Sequence, residues 1–142
     1  MVDVSAKSAS VREAEASAFV TMTPAVLKAI ATNPKGDPFE VARLAGIMAA
    51  KKTAELIPLC HPIPLSHVDV ELRQCENGVA ISSHAKTTAE TGVEMEAMTA
   101  AAVAALTVYD MVKGLERGVR VEAVELLSKS GGRSGDWLRG AS

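Results

Sequence analysis

The run Thr91–Lys113, TGVEMEAMTAAAVAALTVYDMVK, constrains this chain more than any other stretch. Val93, Ala97, Ala100, Ala101, Ala104 and Val108 recur at helical spacing and form one apolar stripe. Ala105, Val112 and the methionines widen it until nearly the whole middle is apolar, the pattern of a helix buried in a core or an interface. Its ends nevertheless carry Glu94 and Glu96, then Asp110 and Lys113. Ionised groups near a buried surface are costly unless they are paired or working.

The remaining segments read as a scaffold for that helix. Ala14, Ala16, Ala18 and Val20 alternate with Glu13, Glu15, Ser17 and Phe19, which predicts a strand over 12–22, although the Ala and Glu content also suits a helix. Thr23-Pro24 and Asp37-Pro38 are N-cap and first-turn pairs. The first opens a short helix that Asn33-Pro34 stops; the second opens one running to about Leu56. Pro58, Pro62 and Pro64 make PLCHPIP a stiff irregular loop. Val68, Val70 and Leu72 alternate with polar neighbours as a strand, and Asn77-Gly78 signals a hairpin into a partner strand over 79–86. A last strand covers 119–127, followed by a cationic tail, KSGGRSG. This order predicts an α+β, ferredoxin-like βαββαβ fold, an antiparallel sheet with helices on one face. The 142 residues form one domain, with 1–10 and 131–142 expected to be flexible.

A net charge of −2 gives no global attraction to nucleic acid or anionic membrane. No apolar run reaches membrane-span length, and the N-terminus has no signal-peptide core. Two cysteines, Cys60 and Cys75, fit neither a zinc ribbon nor a disulfide framework, so the reducing cytoplasm is the expected compartment.

Candidate chemistry gathers at a few positions. Asp110 and Lys113 are neighbours on a helix, readable as a surface ion pair or as an acid/base pair. Thr91–Glu94 reads as a capping box or as a functional carboxylate. Glu96 precedes Asp110 by fourteen residues, so the two share a helix face but stand about 21 Å apart. One small substrate cannot easily touch both within one chain; an antiparallel pairing of two copies would bring them together. Cys60-His61 lies in the stiff loop, where a positioned His for an anion competes with a structural His and with a metal set of Cys60, His61 and His67. Lys35, Lys51, His61 and Lys129 sit at element ends or in loops, where convergence would create a phosphate site. GGRSG lacks the Walker pattern.

These residues resemble one family. MVDVS, KGD, ARLAGI, AAKKT, ELIPLCHP, TGVEMEA, LTVYDM and KSGGRSG, in this order over nearly the whole chain, are similar to the MoaC-type cyclic pyranopterin monophosphate synthases of molybdenum cofactor biosynthesis. The resemblance implies a ferredoxin-like fold and conversion of 3′,8-cyclo-7,8-dihydro-GTP, a small molecule, to cyclic pyranopterin monophosphate with loss of diphosphate. It implies a homohexamer, a trimer of dimers with its site at the dimer interface, and no nucleic-acid or membrane partner. Carried over by motif, Asp110, Lys113 and Lys51 are implied as catalytic, and Leu59, Cys60, His61, Glu94, Met95, Glu96, Lys35, Lys129 and Arg12 as substrate-binding. No resident cofactor or metal is implied; Mg²⁺ can accompany the triphosphate, without a carboxylate cage for it in the sequence. Lys52 stands where Arg is frequent, and the loop before Lys35 is short. Other readings are a non-catalytic ferredoxin-like nucleotide-binding module, which would not need Asp110 or Lys113, and a metal-assisted hydrolase using His61, Cys60 and a carboxylate, which would hold zinc.

Overall fold

Local chemistry sets the helix starts. In the computed structural model, which describes residues 1–140, the Thr23 hydroxyl accepts from the Val26 N–H and the Asp37 carboxylate from the Phe39 N–H. Pro24 and Pro38 open the helices behind them. The elements are β1 (Ser10–Thr21), α1 (Pro24–Ala29) with a 3₁₀ turn (Ile30–Thr32), α2 (Pro38–Lys51), α3 (Thr53–Leu56), β2 (His67–Cys75), β3 (Gly78–Ala89), α4 (Glu94–Val112), β4 (Arg120–Ser130) and β5 (Trp137–Leu138). The sheet order is β2-β3-β1-β4-β5, with every neighbouring pair antiparallel. Without the short β5 this is the ferredoxin-like order that the sequence pattern predicts. Residues 141–142 of the tail expected to be flexible lie outside the described residues.

α4 lies across β1, β3 and β4, and α2 packs beside it over β2. All six predicted stripe residues of α4, Val93 through Val108, are buried, as are Ala105 and Val112. On α2 the buried stripe is Ala42, Gly46, Ala49 and Ala50. The larger Val41, Leu44 and Met48, whose spacing in the sequence is equally helical, are exposed on the chain. Gly46 lets the helices approach: a Cβ there would stand 2.8 Å from the Ala100 carbonyl and 3.3 Å from the Ala104 Cβ. The expectation that no apolar segment reaches membrane-span length needs correction. α4 has the length and hydropathy of a span, but most of its apolar side chains are core.

Three other details differ from expectation. The helix predicted to reach Leu56 breaks at Lys52, where the Thr53 hydroxyl bonds the Ala49 and Ala50 carbonyls. The hairpin turns on Glu76-Asn77, and Gly78 is already in β3, pressed against Phe19 and the Val20 carbonyl. β4 begins and ends later than predicted, and of its two register shifts against β1 the one between Glu122 and Glu125 holds Ala123 at φ +53° in a bulge.

Candidate functional site

An α-helix leaves its last four carbonyls without intrahelical donors. At the end of α4 all four are accounted for. Tyr109 and Val112 accept from the backbone of the following turn. Asp110 accepts from the Lys35 Nζ at 3.2 Å and Met111 from the Asn33 Nδ2 at 2.6 Å. The segment Asn33–Gly36 thus caps the helix, and in doing so brings a lysine to Asp110. The Asp110 carboxylate lies 2.7 Å from the Lys113 Nζ and 3.8 Å from the Lys35 Nζ. The bond and charge of Lys113, with the charge of Lys35, hold Asp110 below the usual carboxylate range; Asp110 in turn holds Lys113 above the usual lysine value. A cleft of about 350 Å³ opens beside them, lined by Asn33, Lys35, Lys113, Met111 and Leu115.

A second group surrounds the start of α4. The predicted capping box does not form: the N-cap is Val93, with no side-chain bond. The Glu94 carboxylate instead accepts from Lys129 at 3.0 Å, and Lys129 also donates to Ser134. Lys129, assigned by sequence to a tail, is therefore on β4 and fixed. Glu96 is 5% exposed; burial, with the Glu94 charge added, pushes its carboxyl up to about 7. The Cys60 thiol is raised by burial and by the charge of Glu96, which lies within electrostatic reach of it. His61 in that loop is near enough to Asp3 to help hold its carboxyl low, after the Ser5 hydrogen bonds. Met95 and Leu59 are exposed beside these groups. Arg12 is buried on β1, donating to the Ala89 and Glu90 carbonyls. Gly131 and Gly132, both at positive φ, let the tail fold against it. A polar cleft of about 170 Å³ joins Arg12, Thr91, Glu94, Lys129 and Ser134.

The residues singled out from sequence thus form two constellations, one at each end of α4 and about 21 Å apart at 1.5 Å per residue. Lys35, Asp110 and Lys113 make one. Arg12, Leu59, Cys60, His61, Glu94, Met95, Glu96 and Lys129 make the other. Lys51 does not join Asp110 and Lys113 within the chain. It is at the exposed end of α2, five residues past Gly46, whose Cα faces Ala100 and Ala104 on an antiparallel helix; that direction leads to the Glu96 end. Helical spacing put Glu96 and Asp110 on one face, yet Glu96 is buried while Asp110 stays exposed, because the Asn33–Gly36 cap reaches the last carbonyls of α4 and leaves the Asp110 carboxylate open to solvent. The metal set of Cys60, His61 and His67 is not assembled among the described residues; the His67 ring instead lies 5.5 Å from that of His84. Asn33 carried no motif, and sequence reasoning read it only as a helix stop.

The sequence profile of the MoaC family matches residues 1–132. A cyclic pyranopterin monophosphate synthase of Trichodesmium erythraeum (strain IMS101) is 56% identical over 142 residues, covering 97% of this chain and 86% of the relative. A protein of the same name from Nostoc sp. (strain PCC 7120) is also 56% identical, over 97% of this chain and 84% of its own length.

Proposed function

This chain belongs to the MoaC family, and from that premise we infer that it is a cyclic pyranopterin monophosphate synthase, a lyase of molybdenum cofactor biosynthesis. Its substrate is 3′,8-cyclo-7,8-dihydro-GTP, and its products are cyclic pyranopterin monophosphate and diphosphate. Rearranging a reduced purine moves protons among nitrogen, carbon and oxygen, which calls for carboxyl and amine groups of matched proton affinity. Glu96, titrating near 7, is such a group; the Asp110–Lys113 pair adds a carboxylate and an ammonium that hold each other ionised. Closing a cyclic phosphate with loss of diphosphate builds negative charge on oxygen; Lys35, Lys113, Lys129 and Arg12 supply fixed positive charge for it.

The observation that carries the mechanism is the division of these groups between the two ends of one helix. The active unit is then two copies paired so that the Glu96 end of one meets the Asp110 end of the other. In that arrangement Lys51 of one copy joins Asp110 and Lys113 of the other, a set no single chain assembles. The helical layer supports such pairing, since Leu44, Met48 and Leu106 are at least half exposed on the isolated chain. A hexamer, a trimer of such dimers, is the assembly we assign. The free thiols Cys60 and Cys75 and a core-buried α4 fit a soluble protein of the reducing cytoplasm.

The test incubates pure protein with the cyclised precursor and assays pterin product and diphosphate. Glu96→Gln and Asp110→Asn variants, each inactive alone, should regain activity on mixing, because some mixed dimers carry one intact site. No product from wild type refutes the function. Product from wild type without rescue on mixing refutes the shared site, and full rates in both variants would support a site elsewhere.

A further inference from the structure

Asn33, Pro34, Lys35 and Gly36 follow the residue order that a type I turn favours, with Asn first, Pro second and Gly last. The Gly36 N–H donates to the Asn33 carbonyl at 3.1 Å, and Gly36 sits at φ +112°, where a side chain would be strained. The Asn33 amide then makes two bonds in different directions. Its Oδ1 accepts from the Lys35 N–H at 2.9 Å, fixing the backbone beneath that lysine. Its Nδ2 donates to the Met111 carbonyl at 2.6 Å, tying the turn to the end of α4, 78 residues away. Lys35 is half exposed on a flexible stem, so its ammonium has many alternatives to Asp110 unless its backbone is placed.

We propose that Asn33 is a positioning residue of the reaction: bridging the Lys35 N–H and the Met111 carbonyl, it sets the Lys35 ammonium against Asp110. The amide is specific to this task because one end must accept and the other donate. Asp would turn a carboxylate toward the Met111 carbonyl. Ser would keep an acceptor for the Lys35 N–H but is too short to reach α4. With the turn closed by the Gly36 N–H on the Asn33 carbonyl, the two amide bonds fix the Lys35 backbone against the end of α4. This inference rests on the lyase reading, in which Lys35 acts beside Asp110 and Lys113.

A double-mutant cycle on the assembled enzyme tests it. Wild type, Asn33→Ala, Asn33→Ser, Lys35→Ala and the Asn33→Ala/Lys35→Ala pair are compared for kcat, KM and the pH profile of kcat/KM with the cyclised precursor, beside thermal melts. Asn33→Ala and Asn33→Ser are each expected to lower kcat roughly 10- to 100-fold with a smaller change in KM, as for a displaced catalytic group. In the Lys35→Ala background, removing Asn33 should cost less than about twofold, because its effect passes through Lys35. The acid limb of the profile should move to higher pH in Asn33→Ala, since Lys35 helps hold Asp110 low. If Lys35→Ala keeps the wild-type rate, the reading of the site fails and the proposal with it. If Lys35→Ala is slow but Asn33→Ala and Asn33→Ser are not, or if the losses multiply in the pair, the site stands and the role of Asn33 is refuted. Should Asn33→Ala not fold, the Ser variant, which keeps the turn, carries the cycle.

Discussion

Glu96→Gln isolates the cost of a buried carboxylate. Glu96 is 5% exposed, and burial moves its carboxyl from the ordinary 4.5 to about 7. Between those values the native chain holds a proton that the unfolded chain has lost. Stability is therefore greatest below 4.5 and falls as pH rises through 7. At about 1.4 kcal/mol per tenfold change in proton affinity, the full cost of ionising Glu96 is about 3 kcal/mol. Gln keeps the shape and removes the charge, so the difference between variant and wild type reports this group without the other carboxylates. Urea denaturation from pH 4.5 to 8.5 is run at one fixed protomer concentration, because assembly contributes to stability. The Glu96→Gln variant should gain about 2–3 kcal/mol on wild type as pH rises. Nearly all of the gain should fall between pH 5 and 8. A difference that stays flat with pH would refute the reasoning, since it would mean that Glu96 ionises in the fold as easily as in water.

Two further outcomes follow from backbone geometry. Gly46→Ala drives a Cβ to 2.8 Å from the Ala100 carbonyl and 3.0 Å from the Val70 Cγ2, so α2 and α4 must part; a stability loss of about 1–3 kcal/mol is expected by chemical denaturation. Ala123→Gly relieves a left-handed backbone at φ +53° on an exposed bulge and should raise stability by about 0.5–1 kcal/mol, read as a higher melting temperature; an unchanged or lower value would show that the bulge stores no strain.

What could be read from the sequence was what short-range chemistry decides. Thr23-Pro24 and Asp37-Pro38 start helices because cap and first turn are adjacent residues, and the stripe of α4 is buried because its period is fixed by the helix itself. The capping box was legible and wrong. Val93, not Thr91, caps α4, and Lys129, 35 residues on, offers Glu94 a charged partner that the local pattern could not show. Val41, Leu44 and Met48 carried the same periodicity as Ala42 and Ala49, yet the close approach at Gly46 buries only the small residues and leaves the large ones outside. Spacing along a helix fixes direction, not cover, so Glu96 and Asp110 could share a face and still differ in burial.

The choice between Lys35 and Lys51 has the same origin. Both flank α2, Lys35 in the turn before it and Lys51 at its end, and nothing in the local pattern says which one meets Asp110. What separates them is the antiparallel packing of α2 on α4, which sends the start of α2 and its preceding turn to one end of α4 and Lys51 to the other. The C-terminal carbonyls of α4 then need donors, and the turn before α2 is the element within reach. Lys35 and Asn33 answer that need, so the requirement that closes a helix end is also what assembles a cationic site around Asp110. A helix with an alanine-rich middle allows this because α2 can lie close enough for the turn to reach. Larger residues at Ala100 or Ala104 would move the cap, and Lys35 with it, away from Asp110.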